Sequence, residues 1–555
     1  WRRRCAGWAE PRPRAPRPSA ALARRGAGGQ DAPHERRSDM SAALEALLGE
    51  DRVDRSPEMR ALMAEDISGP ATHAPAAVAR PADAAAVAGL VAQARAEGLA
   101  LLPRGAGQSY TAGFRPPSDR SLIVDLRDLD RIEIDAVRRV ARVGAGATWE
   151  ALRAAAAEAG LRAPFFGPLS GLTATVGGAL SQNGAFFGSA AHGYAADAVR
   201  GLEVVDGTGA RRRLGAQAAG RDPALAWFGP GLMQAFLGDA GALGLKTEAL
   251  IRLIPAPPAP LFASFAFEDG AALARAQAAL VDVPHLSEVW AFDAEAHRGL
   301  ARSGFTILEQ ARLASEVAGG AGGLLRAARR LAEAATMRSA TLTDLAWSLH
   351  AVVEPPLESL AEPVAAAVLE TATRHGGRAI PDAIPRATRA RPFRPLKALI
   401  GPEGERWLPC HGLAPAARAP ELLAAVETWR RDRAEAMAAE EVRLSLLLAS
   451  VGAEIIVEPQ LHWPDALSAH QRAFATPSQV RAHDAAPARP AARTLAHALR
   501  GELIARFEDL GAGHLQLGRS YRHAEGLEPP TLALLRALKA ELDPDGLLNP
   551  GALGL

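Results

Sequence analysis

The chain of 555 residues is too long for one ordinary domain, and its composition, 48% hydrophobic and 23% charged, indicates a globular protein with a large buried core. Its 63 basic and 62 acidic residues give a formal net charge of +1, which offers no support for a nucleic-acid partner. The two cysteines, Cys5 and Cys410, imply no disulfide framework, and the longest apolar run, near Leu444–Val457, is too short to span a membrane. We therefore expect a cytoplasmic protein, or one peripheral to the inner membrane, with no nucleic-acid partner and no membrane span.

Residues 1–39 are rich in arginine, proline and glycine and precede the first methionine, Met40. Three interpretations compete: a transit peptide, a disordered tail, or upstream sequence read through ahead of Met40. Prolines would break the amphipathic helix of a transit peptide, which favours the last two, and they stand at Pro11, Pro13, Pro16 and Pro18. We expect a disordered or upstream leader over 1–39, followed by a short helix over Ser41–Glu50.

Helix and strand patterns alternate from Pro81 to about Pro255. An N-cap at Asp83, a C-cap at Gly98 and apolar residues at helical spacing predict the first helix, the apolar residues being Val87, Leu90, Val91 and Ala94. A helix is also predicted over Trp149–Ala159, and strands over Leu99–Leu102, Ser121–Leu126, Arg139–Val143, Gly201–Val205 and Leu250–Ile254. A cluster of prolines then marks a domain boundary: Pro255, Pro257, Pro258 and Pro260.

The second half of the chain mixes alternating apolar runs with helices rich in alanine and arginine. It predicts strands over Phe262–Phe267 and Val289–Phe292 and helices over Leu324–Thr336 and Glu421–Arg443, which indicates an antiparallel sheet covered by helices on one face. A polar connection, Pro477–Pro490, leads to two closing helices, over Ala491–Leu510 and Thr531–Leu542.

The loop Pro103–Ser109 is the first candidate binding site. A glycine-rich turn at a strand end presents backbone N–H groups that suit a phosphate. A dinucleotide-binding fingerprint would need a third glycine where Tyr110 stands and a helix after it, but Pro116 and Pro117 prevent that helix. A phosphate-binding P-loop is excluded as well, because no Gly-Lys-Ser/Thr follows.

Together with later segments, this loop resembles the FAD-linked oxidases, where it is commonly written P-R-G-x-G-T-S. The later blocks keep the family's order: Gly171–Gly184 with His192–Tyr194 and Asp197–Val205; Gly238–Gly244, similar to G-S-E-G-T-L-G; and Leu542–Gly551, similar to L-D-P-x-G-x-x-N-P-G. The family is the vanillyl-alcohol oxidase and p-cresol methylhydroxylase superfamily. The motifs resemble its branch of D-lactate dehydrogenase and glycolate oxidase flavoprotein subunits.

The resemblance implies an α+β fold with a two-part, PCMH-type FAD-binding domain. We expect this domain over 40–257, an α+β substrate or cap domain of antiparallel sheet covered by helices over 258–500, and a C-terminal segment, 501–555, that returns to the FAD-binding domain. The residues expected to bind FAD are Arg104, Gly105, Ala106, Gly107, Gln108, Ser109, Pro168, Thr175, Gly177, Gly178, Asn183, Gly184, Val205 and Asn549. No histidine stands near the first loop to attach the flavin, so we expect non-covalent FAD.

The catalytic expectations rest on Gly513–Tyr521, which resembles the family's E-H-G-x-G-x-x-K. By that match His514 takes the place of the active-site base and Arg519 that of a substrate-binding lysine, with Tyr521 beside them. Further pocket candidates are His411 and His462, which stand among aromatic residues.

We expect no metal, because the motif H-x-G-D-G-N-x-H of metal-using relatives is absent and Gly513 replaces their glutamate. The alternative is a divalent ion held by His411, Glu458, His462 and His514. For His462, plain aromatic packing is a further alternative.

The resemblance implies an FAD-dependent dehydrogenase that oxidises a small 2-hydroxy acid such as D-lactate by hydride transfer to flavin N5. The electrons would pass to a quinone, a cytochrome or a carrier protein. One alternative is a phenol-type oxidase or dehydrogenase of the vanillyl-alcohol oxidase kind, against which we count the scarcity of tyrosine, three in the chain. Another is a non-catalytic, flavin-holding subunit of a multi-subunit oxidase.

Overall fold

The computed structural model of the chain describes residues 42–258, 260–302, 344–393, 400, 401 and 403–555. The predicted leader over 1–39 and the predicted helix over Leu324–Thr336 lie outside these residues. Residues 42–48 are helical, within the predicted helix over Ser41–Glu50. In the described part of the chain, no helix has the length and apolarity needed to cross a bilayer.

The first sheet has four strands in the order β1-β2-β4-β3, and its strands β2, β4 and β3 are parallel. Helix α2 runs through the predicted residues and is capped as predicted, since the Asp83 carboxylate accepts a hydrogen bond from the Ala86 amide and Gly98 adopts a left-handed conformation. The bounds are β1 Val53–Asp54, β2 Ala77–Ala79, β3 Ala100–Arg104, β4 Ser121–Asp125, α1 Pro57–Ala64 and α2 Ala84–Glu97. Strand β3 is longer than predicted and includes Pro103 and Arg104, because both pair with β4.

The second sheet has five antiparallel strands in the order β5-β6-β10-β8-β9, and the short strands β7 and β11 pair with each other. The predicted helix and the predicted strands over Arg139–Val143 and Gly201–Val205 are present, with ends shifted by one or two residues. The strand predicted over Leu250–Ile254 instead covers the end of β10, which begins at Leu245, and the start of β11. The bounds in this region are β5 Ile132–Asp135, β6 Val140–Gly144, β7 Leu161–Arg162, β8 Val199–Val205, β9 Arg211–Gly215, β10 Leu245–Arg252, β11 Ile254–Pro255, α3 Trp149–Glu158, α4 Val176–Gln182 and α5 Ser189–His192.

The predicted cap region contains a third sheet of eight strands. Seven follow the order β15-β12-β14-β13-β18-β19-β16, the eighth, β17, pairs with β19, and all pairings are antiparallel. The strand bounds are β12 Leu261–Phe267, β13 Leu286–Asp293, β14 Trp347–Val353, β15 Arg378–Ile380, β16 Glu405–Pro409, β17 Gly412–Pro415, β18 Arg443–Val451 and β19 Glu454–Pro464. The apolar run near Leu444–Val457 is therefore a buried hairpin, which turns at Gly452 in a left-handed conformation.

Helices cover one face of this sheet, as predicted, and five of them contribute to its main core: α6, α8, α10, α11 and α14. Helix α9 packs Ile384 against the opposite face. The helix bounds are α6 Gly270–Leu280, α7 Ala294–Arg302, α8 Ala361–Arg374, α9 Ala383–Ala390, α10 Ala419–Asp432, α11 Ala434–Ala439, α12 Ala469–Phe474, α13 Pro477–His483, α14 Pro490–Asp509 and α15 Pro529–Leu542. The single helix predicted over Glu421–Arg443 was wrong, because the chain breaks at Arg433 and turns at Glu441 with a positive φ.

Two further details concern the predicted connection over Pro477–Pro490 and the predicted boundary at residue 500. The connection Pro477–Pro490 contains the short helix α13. The predicted domain boundary at residue 500 falls inside α14, whose buried residues on both sides of that point, among them Ala492 and Phe507, join the cap core.

A buried ion cluster joins the cap to the N-terminal part of the chain. Arg389 pairs with Glu288 at 2.8 Å and also with Glu354, while Arg162 pairs with Glu354 at 2.7 Å. Both guanidinium groups lie over the Phe166 ring, within 4.8 Å of its centroid. The cluster fixes the cap against strand β7 through charges that compensate each other away from water.

Replacing Arg389 with Met should lower the free energy of unfolding by roughly 3–5 kcal/mol, because it leaves Glu288 and Glu354 with too little positive charge in a buried site. Arg386 on the same helix is the matched control, since it pairs with the partly exposed Asp382. Arg386→Met should reduce stability by less than about 1 kcal/mol. Urea unfolding measures both values, and equal losses would contradict a special role for the buried cluster.

Candidate functional site

The first predicted binding loop follows strand β3 and lies over a buried guanidinium group. Arg104 is 2% exposed, and its Nη1 donates to the Gly105 carbonyl at 3.2 Å. Its Nε and Nη2 are buried without a hydrogen-bond partner in the described chain. Burial lowers the pKa of Arg104 to about 10, against the opposing charge of Asp125. A cation that keeps two free N–H donors beneath a glycine loop is suited to a bound phosphate.

Two glycines of this loop leave no space for a side chain. A Cβ at Gly107, where φ is +76°, would lie 2.1 Å from Arg104 Nη2, and a Cβ at Gly105 would lie 2.2 Å from Thr175 Oγ1. Thr175 caps helix α4 by accepting from the Gly178 amide at 3.2 Å. The second predicted block therefore lies directly against the first.

The second block also packs on the residue that follows strand β6 of the second sheet. The Gly177 amide donates to the Ala145 carbonyl at 2.8 Å, and a Cβ at Gly177 would lie 2.6 Å from the Ala145 Cβ. Glycine is required here by close backbone approach rather than by an unusual φ.

The third and fourth blocks close around the same loop. A Cβ at Gly241 would lie 2.4 Å from Pro103 Cγ. The Asn549 amide group donates to the Gly113 carbonyl at 2.7 Å and to the Ala240 carbonyl at 2.6 Å. Four stretches that are distant in sequence thus meet at one place, as the motifs predict.

The other predicted cofactor residues lie on this framework in different roles. Ala106 is buried, Gln108 has a buried Oε1 with no hydrogen-bond partner in the described chain, and Ser109 bonds to Thr111. The remaining four have local structural roles: Asn183 caps the end of α4, Gly184 follows it, Pro168 begins a turn to Gly171, and Val205 ends strand β8 in the core. Direct contacts of these residues with a cofactor stay predictions.

The motifs do not identify His470, which connects the cap to the first loop. Its Nε2 donates to the Gly107 carbonyl at 3.0 Å across 363 residues of sequence. Its own amide donates to the Glu65 carboxylate at 2.9 Å. Burial and the nearby Arg104 charge lower the pKa of His470 to about 4, so the ring is neutral. No local pattern indicates this contact, because it depends on how the two parts of the chain come together.

The predicted His411 lies at the centre of a second polar cluster. Its Nε2 is 2.9 Å from the Tyr110 hydroxyl and 3.2 Å from the Glu458 carboxylate, and its Nδ1 is 3.2 Å from the Tyr521 hydroxyl. The His411 amide donates to the Tyr521 oxygen, so we assign the Tyr521 hydroxyl as the donor to Nδ1 and place the ring proton of His411 on Nε2. Burial raises the pKa of both tyrosines, which keeps both hydroxyls protonated. The motifs identify Tyr521 but give no sign that Tyr110 joins it.

The predicted base His514 adjoins this cluster. Its ring stacks on Tyr521 with 4.3 Å between centroids, and its Nδ1 donates to the His411 carbonyl at 2.8 Å. The free lone pair therefore lies on Nε2, which is buried, has no hydrogen-bond partner in the described chain and stands 3.8 Å from a Glu508 oxygen. Burial lowers the pKa of His514, which favours the neutral, proton-accepting ring.

Arg519 is engaged by the protein itself. Its guanidinium donates to the carbonyls of Ala112 and Pro550, both at 2.9 Å, and to Asn549 Oδ1 at 2.6 Å. Burial lowers the pKa of Arg519 to about 10. Arg519 therefore links the segment after the first loop to the Asn-Pro-Gly segment. This geometry favours a structural role over the predicted contact with a substrate carboxylate.

His462 lies on strand β19, where its Nε2 is 2.9 Å from Ser445 Oγ of the neighbouring strand. This contact agrees with the alternative that His462 is a hydrogen-bonded residue of the sheet. Within the described ranges, no group of three or more His, Cys, Asp and Glu side chains is arranged to hold a metal ion.

Comparisons with protein families match two parts of this chain. Residues 75–215 match the FAD binding domain, and residues 521–553 match the C-terminal domain of the FAD linked oxidases.

Curated relatives are similar over part of their length. An uncharacterized FAD-linked oxidoreductase of Mycobacterium tuberculosis is 32% identical over 222 residues, 39% of this chain and 46% of that protein. The D-lactate dehydrogenase of Archaeoglobus fulgidus is 29% identical over 179 residues, 32% of this chain and 38% of the relative. The glycolate oxidase subunit GlcD of Bacillus subtilis is 32% identical over 159 residues, which are 28% of this chain and 32% of the relative. The matched region is thus less than half the length of each relative.

Solved structures match nearly the whole chain. p-Cresol methylhydroxylase with substrate bound superimposes with a TM-score of 0.69 at 18% identity, covering 94% of this chain and 97% of that one. The 4-ethylphenol oxidase of Gulosibacter chungangensis gives 0.69 at 16% identity with the same coverage, and alkyldihydroxyacetonephosphate synthase gives 0.63 at 15% identity, covering 92% and 84%. These matches confirm the predicted α+β, PCMH-type fold.

Replacing Arg104 with Met should raise the dissociation constant of FAD by roughly tenfold or more, because charged hydrogen bonds to a phosphate are lost. The apoprotein should lose little stability or gain some, since an incompletely paired buried cation is removed. Fluorescence titration of apoprotein with FAD and urea unfolding measure the two effects.

The control is Arg127→Met, because Arg127 pairs with Asp125 nearby and is 43% exposed. We expect this variant to keep its FAD affinity. An Arg104 variant that bound FAD normally and lost apoprotein stability would show that the guanidinium is structural.

Proposed function

We propose that this chain, which carries the FAD-binding domain and the C-terminal domain of the FAD-linked oxidases, is an FAD-dependent dehydrogenase that oxidises a small 2-hydroxy acid. The two domain matches confirm the family resemblance and the FAD cofactor. D-Lactate dehydrogenase and a glycolate oxidase subunit among the relatives support a hydroxy-acid substrate. We propose dissociable FAD, because residues 105–113 contain no histidine.

The observation that carries the proposal is the free lone pair of His514. When bound, the flavin supplies a two-electron acceptor for hydride from the substrate carbon. The chain must then remove the hydroxyl proton. His514 Nε2 is suited to that task because the His411 carbonyl fixes the opposite nitrogen as a donor and burial keeps the ring neutral.

We propose that the Tyr110 hydroxyl orients the substrate beside this base. Tyr110 directly follows the loop that we assign to the pyrophosphate, and it contacts His411. Tyr521 donates its proton to His411 Nδ1, so its hydroxyl fixes His411 rather than the substrate. Tyr110 would then position the substrate oxygen while His514 accepts the proton.

With Arg519 engaged elsewhere, Arg500 becomes the candidate cation for the carboxylate. Its Nε donates to the Pro409 carbonyl and its Nη1 to Ser520 Oγ, both at 2.9 Å, but its buried Nη2 has no hydrogen-bond partner in the described chain. The guanidinium carbon lies 5.7 Å from the centroid of the Tyr521 ring. Arg500 therefore brings an incompletely bonded positive charge to the same cluster as His514.

A second candidate function is oxidation of a phenol. Tyrosine is scarce in the chain, but two of its three tyrosines meet at His411. The Tyr110 hydroxyl beside His411 could bind a phenol oxygen as readily as an alcohol. We favour the hydroxy acid because relatives of the chain act on hydroxy acids and because Arg500 supplies a cation for the carboxylate. We further propose that the electrons pass from the flavin to a quinone, a cytochrome or a carrier protein.

The purified FAD-loaded protein should lose its flavin absorbance under anaerobic D-lactate, glycolate or 2-hydroxyglutarate. His514→Ala should slow that reduction by about a hundredfold or more, the usual contribution of a general base. Stopped-flow absorbance measures both, with the exposed His73→Ala as the control. A flavin that no hydroxy acid or phenol reduces would instead support the flavin-holding subunit.

The pH dependence of the reduction follows from the same residue. His514 accepts a proton only when neutral, and burial lowers its pKa, so the neutral form persists below the usual histidine range. The rate should therefore stay level as the pH falls to about 6.5 and decline only below it. A decline that began at higher pH would exclude His514 as the base.

Tyr110→Phe distinguishes the two candidate substrates. For a hydroxy acid, which also has Arg500 and His514, we expect reduction to slow by less than about tenfold, the effect of one neutral hydrogen bond. Tyr194→Phe is the control, since that hydroxyl bonds to Glu454 instead. If 4-cresol reduces the flavin of the wild type and of Tyr194→Phe but not that of Tyr110→Phe, the result identifies phenols as the substrate class.

A further inference from the structure

An apolar surface is exposed on one loop of the N-terminal part. Four large apolar side chains point to solvent within eight residues of sequence: Leu225, Trp227, Phe228 and Leu232. Trp227 is 70% exposed and Leu232 is 68% exposed. Large apolar groups concentrated in this way indicate an interaction site rather than the scattered exposure of an ordinary surface.

An ion pair links this loop to a neighbouring turn. The Arg138 guanidinium from the adjacent β-hairpin turn bonds to the Asp222 carboxylate at 3.1 Å. In that turn Val137 is 93% exposed. The loop follows strand β9, which is an edge strand of the second sheet. The turn and the loop are linked by this ion pair, and we call them together the Trp227 surface.

Two arginines form a positive border beside these apolar groups, Arg139 and Arg221. Residues 135–139 and 211–222 contain six arginines and two aspartates. Four of these arginines are ion-paired: Arg138 with Asp135 and Asp222, Arg211 and Arg213 with Glu203, and Arg212 with Asp206. Arg221 lies over the Phe228 ring, 5.7 Å from its centroid. The surface therefore presents aromatic and aliphatic groups with a net excess of two positive charges, carried by Arg139 and Arg221.

We infer that the Trp227 surface docks on an anionic lipid bilayer. Tryptophan and phenylalanine partition into the interfacial region of a bilayer, while neighbouring arginines are attracted to negatively charged headgroups. The apolar loop would enter the headgroup region, and the arginines at its border would remain at phosphate level. The positive border favours lipid over an uncharged apolar partner.

Sedimentation with vesicles tests this inference on the full chain loaded with FAD. The wild type should bind vesicles of equimolar phosphatidylcholine and phosphatidylglycerol. It should bind vesicles of pure phosphatidylcholine much more weakly. The double variant Trp227→Ser, Phe228→Ser should bind the anionic vesicles roughly tenfold or more weakly, since two interfacial aromatic groups are lost. Leu534→Ser is the control, because Leu534 is 72% exposed on helix α15, and it should bind as the wild type does.

The charged border has its own test. The variant Arg139→Gln, Arg221→Gln should weaken binding to the anionic vesicles by roughly fivefold for each arginine removed. Flavin content and thermal unfolding should match the wild type in all variants, which separates lipid binding from folding. Flavin reduction in solution should also be unchanged, so failure of the proposed function would leave this test intact.

Three results would overturn the inference. The first is a wild type that does not bind anionic vesicles. The second is an aromatic double variant that binds them as strongly as Leu534→Ser does. The third is a wild type that self-associates in gel filtration, does not bind vesicles and becomes smaller in the aromatic double variant, which would make the Trp227 surface a contact between copies of the chain.

Discussion

The buried side chain of Asn549 holds together the framework that we propose for the cofactor. Its amide nitrogen donates to the backbone of Gly113, which follows the first loop, and of Ala240 in the third glycine block, and its oxygen accepts from Arg519. Every polar atom of this side chain is therefore used, in a place with 1% exposure. Because the framework comes from four distant stretches of backbone, such directional bonds fix their spacing more closely than apolar packing alone.

Buried polar atoms without a hydrogen-bond partner are concentrated at the candidate site but are not confined to it. Atoms of Arg104, Gln108, Arg500 and His514 are of this kind in the described chain. In the ion cluster around Arg389, carboxylates and guanidinium groups compensate one another, although Arg162 Nε is also unpartnered there. Leaving such groups unsatisfied costs free energy, so a framework that keeps several of them is suited to ligands that supply the missing bonds.

The features that sequence predicts here are those with a local cause. Capping residues and periodicity predict helix α2, and glycine motifs predict the blocks that meet at the first loop, because close backbone approach excludes a side chain. The break at Arg433 was missed because alanine and arginine favour helix on both sides of it. Contacts such as Tyr110 with His411, across 301 residues, depend on the assembled cap and leave no local pattern.

The bond from Asn549 to Gly113 also has a consequence for biosynthesis, because it spans 436 residues. Residues near the start of the framework leave the ribosome long before Leu547 and Asn549, which pair with Leu101, exist. Domains form from the N-terminus during translation, and a nascent chain at this stage has the glycine loop without the segment that closes it. The framework is thus completed only after synthesis reaches residue 549, and a chain truncated within the third sheet lacks the bonds from Asn549 to Gly113 and Ala240.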